Sequence, residues 1–83
     1  MFSNKAKNGK NNLCGNKIYI LRKEMHLSQR ALAEKLQIKG LDLDKNAIQR
    51  IECGKRFVTD IELVVFADVL SVTIDDLVST SEE

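Results

Sequence analysis

Residues 28–56 read SQRALAEKLQIKGLDLDKNAIQRIECGKR, and this stretch predicts two helices joined by a connector. Ser28 is a favourable N-cap, and Ala31, Leu32 and Leu36 lie on the inner side of the helix it opens. The connector spans 37–43 and holds Gly40, while Ile38, Leu41 and Leu43 predict that it is partly buried. Asp44 caps the next helix, Ile48 and Ile51 are its core positions, and Gly54 stops it, because glycine readily takes the left-handed backbone that follows a helix. Ala33 is small enough to sit where two steeply crossed helices meet. With Ile48 and Ile51 turned inward, Lys45, Asn46, Gln49 and Arg50 are left outside. All four are long or amide-bearing, and none is acidic.

Working outward from this stretch, a preceding helix is predicted over 15–25, with Ile18, Leu21 and Met25 at i, i+3 and i+7 as one apolar stripe. Downstream, Thr59 and Glu62 form a capping-box pair that opens a fourth helix. Its residues Ile61, Leu63, Val64, Val65, Phe66, Ala67 and Leu70 are apolar nearly all round, which predicts the central, most buried helix. The β-branched run there also suits a strand, but the capping box and the helical neighbours decide for helix. A short fifth helix follows Thr73, with Asp76 three residues on and Ile74, Leu77 and Val78 as apolar contacts. Residues 1–12, polar, basic and Asn-rich, read as a disordered tail, and residues 79–83 as a polar acidic one. Residues 13–78 are then one all-α domain of five short helices.

Size and composition narrow the function classes. A chain of 83 residues forms one domain with a modest core and little room for a catalytic cleft. There is no proline to interrupt helices. No apolar run approaches the roughly 20 residues of a membrane span, and the N-terminus lacks the apolar core of a signal peptide. Two cysteines, Cys14 and Cys53, are too few for a disulfide scaffold and read as free thiols of a cytoplasmic protein. With His26 they lack metal-ligand spacing, so no metal is expected. A single histidine, no Gly-rich phosphate loop and no nucleophile with its base argue against an enzyme, a cofactor or a small-molecule ligand.

Charge is the most informative part of the composition. Residues 1–56 carry all 13 Lys and Arg and five acids, a balance of +8, whereas residues 57–83 carry seven acids and no base. The net charge of +1 hides this split, which suggests one face built for a polyanion. A DNA major groove is wide enough to take one helix. Asn and Gln can pair bidentately with adenine, Lys and Arg with guanine. An ordinary solvated face would mix acids among Lys45, Asn46, Gln49 and Arg50.

On these residues the chain resembles the phage-repressor and Cro family of helix-turn-helix domains, the XRE family. The resemblance covers residues 15–78 and runs through ILRKEMHLSQ at 20–29, ALAEKL at 31–36, AIQRIECGKR at 47–56 and DIELVVFADVLSVTIDDL at 60–77. It implies a lambda-repressor-like five-helix fold whose third helix reads DNA. Carried over residue by residue, the base-reading positions fall on Lys45, Asn46 and Arg50, with Gln49 beside them. Backbone-contacting positions fall on Gln29, Lys55 and Arg56, and the free amides at a helix start favour a phosphate near Gln29. The family's pairing of an Arg in helix one with the Glu ending helix three falls on Arg22 and Glu52. Two departures stand out: the connector is about five residues longer than the usual tight turn, which loops tolerate cheaply, and it places Lys39 within reach of a phosphate. His26 occupies a position where glycine commonly ends helix one.

The expected function is a sequence-specific double-stranded DNA-binding transcriptional regulator, a repressor, acting as a homodimer on a near-palindromic site. The acidic fifth helix, with Ile74, Asp75, Asp76 and Leu77, is the expected dimer contact. The alternative is a protein-interaction module of the same fold, such as an antitoxin or antirepressor, since fold alone does not decide function. Acids on the outer face of helix three would favour that alternative.

Overall fold

The computed structural model describes residues 9–79. They form five α-helices and, among the described residues, no strand: α1 Gly15–Glu24, α2 Gln29–Ile38, α3 Lys45–Glu52, α4 Asp60–Leu70 and α5 Ile74–Val78. Four helix starts are fixed by side chains that replace the missing intrahelical acceptors. Ser28 accepts from Ala31 N–H, Asp44 from Ala47, Thr59 from Glu62 and Thr73 from Asp76. Thr59 with Glu62 and Thr73 with Asp76 close full capping boxes.

The core is built from one face of each helix. Ile18, Leu32, Leu36, Ile48, Ile51, Phe66 and Leu77 are fully buried, and Ala33, Ala47, Ala67 and Leu70 fill the gaps between them. Helix α3 packs on both α1 and α2, and α4 packs on α1, α2 and α5. Helix α3 is therefore wedged from behind by two others. Its exposed side inherits the rigidity of the core.

Several boundaries and burials differ from expectation. Helix α1 stops one residue short of the predicted span: Met25 caps it and is 39% exposed, so the inward stripe is Gly15, Ile18 and Arg22 with Leu21 half-buried. The chain leaves α1 through His26 at φ 60°, a left-handed turn at the residue where glycine is usual. Helix α2 takes in the first part of the connector, ending at Ile38. Gly40 at φ 89° then reverses the chain, and Leu41 and Leu43 turn inward while Ile38 stays 83% exposed. Helix α4 is not buried all round. Ile61 and Val64 are 71% and 54% exposed, because neighbours cover only the side bearing Glu62, Phe66, Ala67 and Leu70. Asn11 and Asn12 were expected in a disordered tail, yet both hydrogen-bond to the chain after α3. The rest of that tail up to residue 8, and the acidic end beyond 79, lie outside the described residues.

Candidate nucleic-acid interface

Helix α3 is eight residues long and divides cleanly. Ala47, Ile48 and Ile51 are buried, and Lys45, Asn46, Gln49 and Arg50 are exposed. None of the four exposed side chains forms a hydrogen bond or ion pair with another described residue. They stand on neighbouring positions of one helix face.

Behind this face, Arg22 and Glu52 join the last turn of α1 to the end of α3. Arg22 Nε and Nη2 donate to the two Glu52 carboxylate oxygens at 2.7 and 3.0 Å, and Nη1 donates to the Leu27 carbonyl at 2.7 Å. The two side chains are 7% and 5% exposed, and the guanidinium also lies over the Tyr19 ring, 5.4 Å from its centroid. The hydrogen bonds to Glu52 raise the Arg22 pKa above its ordinary value. An acid at the last residue of a helix opposes the helix dipole, so Glu52 owes its place to this fork-to-fork pairing. Gln29 Nε2 donates to Glu52 Oε1 at 3.1 Å, which ties the start of α2 into the same cluster.

The residues expected to touch phosphates fall into different settings. Lys55 is exposed in the turn after α3, next to Gly54 at φ 80°. Arg56 reaches back to α4, where Nη1 and Nη2 meet the Glu62 carboxylate at 2.9 and 3.0 Å, and Nη1 also donates to the Phe57 carbonyl. Lys39 pairs with Asp68 of α4 at 3.1 Å and is grouped with Lys35, Ile38 and Val69. Both partners of that pair are more than half exposed, so it holds Lys39 weakly. Gln29, Arg56 and Lys39 thus each have an internal partner, whereas Lys55 has no acid.

The Arg56 hydrogen bonds hold the Glu62 carboxyl below its ordinary value of 4.5. A carboxyl whose folded pKa is depressed adds stability that is present above the unfolded pKa and is lost as pH falls through the folded one. Stability is therefore expected to drop as the pH is lowered below about 4.5. In Glu62→Gln that part of the acid sensitivity should vanish, and urea midpoints at pH 7 and pH 3 in the two proteins check it.

Asn11 and Asn12 are structural residues of this region that sequence reasoning missed. Asn12 Oδ1 accepts from Gly15 N–H at 2.8 Å, so Asn12 supplies the N-terminal acceptor of α1, and its Nδ2 donates to the carbonyls of Ile51 and Arg56. The available signal was an Asn three residues before a helix start. The two thiols differ. Cys53 is exposed at the end of α3, while Cys14 is buried, and that burial pushes its pKa up to about 11. The Cys14 thiol is thus protonated and inert at neutral pH.

Two packed helices, the second with an apolar back and a face of amide and cationic side chains, define a helix-turn-helix domain. A family model described as helix-turn-helix matches residues 18–77, most of the chain. The protein belongs to this XRE/Cro-type family, whose members are DNA-binding transcriptional regulators and typically not enzymes. Searches of curated proteins and of solved structures return no match. Among the described residues no helix is long and apolar enough to cross a membrane, and no group of three or more His, Cys, Asp or Glu is placed to hold a metal ion.

Proposed function

We propose that this protein is a sequence-specific repressor that binds duplex DNA as a homodimer and lays α3 in the major groove of each half of a near-palindromic operator. The observation that carries this reading is the face of α3: Lys45, Asn46, Gln49 and Arg50 are exposed, unpaired among the described residues and free of acids. Asn46 and Gln49 suit adenine, and Lys45 and Arg50 suit guanine. Lys55 grips the backbone, since it is exposed and has no internal acid to leave. Gln29, Arg56 and Lys39 join it only by sharing Glu52, Glu62 and Asp68 with a phosphate.

Charge supports the orientation. The outer surfaces of α4 and α5 carry Asp60, Asp68, Asp75 and Asp76, all exposed, and these turn away from a polyanion. One domain reads one half-site, so useful affinity calls for two copies with half-sites about 34 Å apart. For the dimer contact α5 offers Ile74, Asp75 and Asp76 on its surface. Leu77, expected there too, is fully buried and belongs to the core instead.

Selection of the purified protein on a random pool of duplex DNA tests the reading. The expected result is an enriched motif with two-fold symmetry, and a complex containing two protein chains by light scattering. Weak, steeply salt-dependent binding with no enriched sequence would refute it and favour a protein partner for the same surface.

A further inference from the structure

We infer that the segment Asn11–Asn12 is a strap that fixes the turn after α3 in its DNA-gripping shape, and that Asn12 is a positioning residue for Lys55. The inference rests on the DNA-binding reading above. Its observations lie in the backbone at the end of α3 and in the turn that follows. Four carbonyls there have a donor in the strap. Asn11 N–H donates to Gly54 and Asn11 Nδ2 to Lys55, at 2.8 and 2.9 Å. Asn12 Nδ2 donates to Ile51 and to Arg56, at 3.0 and 2.8 Å.

The turn's own amides point the other way. Gly54 N–H donates to Ile51, and the N–H groups of Lys55 and Arg56 both donate to the Arg50 carbonyl, at 2.8 and 3.3 Å. The backbone carrying Lys55 is thus held by α3 on one side and by the strap on the other. Gly54 leaves room for the side chain of Lys10, the residue just before the strap. A Cβ on Gly54 would stand 2.5–2.9 Å from the Lys10 side chain, which lies across it. Because Asn12 also caps α1 through Gly15, the turn is referenced to the helix that bears Arg22.

A lysine on a loose loop loses conformational entropy when it grips a phosphate, and one on a pre-fixed backbone loses less. The strap removes that cost at Lys55 while leaving the base-reading face of α3 untouched. Asn12 therefore governs phosphate contact and not sequence choice.

The test uses the full chain and its selected operator, with affinity measured across salt concentrations at a temperature where every variant is folded. Lys55→Ala is expected to reduce the slope of log affinity against log salt by about 0.9, the loss of one phosphate contact. Asn12→Ala should reduce the slope in the same direction, leave the preferred bases unchanged, and add little in a Lys55→Ala background. Asn12→Ser keeps an acceptor for the Gly15 amide but is too short for both carbonyls. It should behave like Asn12→Ala in binding while retaining more stability, and it replaces that variant if the alanine form unfolds. Wild-type slope and affinity in the folded Asn12 variants, or fully additive losses with Lys55→Ala, would overturn the inference alone. Absence of salt-dependent duplex binding in the wild type would overturn the DNA-binding reading and this inference with it.

Discussion

Glu52→Ala is expected to cost about 3–5 kcal/mol of stability, because it leaves Arg22 charged, almost fully buried and without its carboxylate. For a domain of this size each kcal/mol lowers the melting temperature by roughly 4–8 °C. Such a loss removes much of the total for a protein near the marginal stability usual for single domains. What remains for the guanidinium is the Leu27 carbonyl and the Tyr19 ring, which do not neutralise it. The pair's value lies in breaking it unevenly. Replacing both partners at once, as in Arg22→Met with Glu52→Leu, is expected to cost far less than either single change, since the buried charge disappears with its partner. Thermal melts followed by circular dichroism measure both. A loss below about 1 kcal/mol for Glu52→Ala, the range of exposed ion pairs, would show that water reaches the pair and that it does not hold α3.

Gly15→Ala is expected to destabilise the fold by about 1–3 kcal/mol, the opposite sign to the usual effect of that change in a helix. Alanine normally gains up to about 1 kcal/mol over glycine in a helix. At this position, however, a Cβ would collide with the Ile51 carbonyl oxygen and stand 2.8 Å from Asn12 Oδ1. The Ile51 oxygen belongs to α3 and accepts from Asn12, so neither neighbour can swing aside without disturbing the strap. The close approach of α1 to the end of α3 is what lets the Arg22 fork reach Glu52. A urea titration showing Gly15→Ala as stable as wild type, or more so, would mean that the two helices part at little cost.

Much of this arrangement is legible in the amino-acid sequence, for reasons that can be named. Ser28, Asp44, Thr59 and Thr73 mark helix starts because each offers a short side-chain oxygen to a backbone amide that lacks a partner. Gly54 marks the end of α3 because the turn there needs a positive φ, observed at 80°. The outer face of α3 follows from Ile48 and Ile51, since two inward positions three residues apart settle which side chains remain outside.

What is not legible depends on contacts distant in sequence. Asn11 and Asn12 look like the end of a solvated tail, and nothing local reveals carbonyls 39–44 residues away. Lys39 looks like an available cation because Asp68 lies 29 residues on, in α4, and Arg56 does because nothing local shows that the turn folds it back onto Glu62 at the start of α4. Periodicity also fails on α4, where an apolar residue at every side gives no preferred face. Packing against α1, α2 and α5 chooses one, leaving Ile61 and Val64 outside. Ile38 is exposed for a related reason: α2 continues through it, and the helix turns that position away from the core.

The measurement that bears most directly on α3 as a reading helix is a base-preference profile of the wild type beside Asn46→Ala, Arg50→Ala and Lys55→Ala, at one fixed salt concentration. Asn46→Ala and Arg50→Ala should each relax the preference at a separate symmetric pair of operator positions, with about 1–3 kcal/mol of discrimination lost at each. Lys55→Ala should weaken binding about equally on all sequences. Unchanged preferences in both α3 variants would contradict the assignment of α3 to the groove.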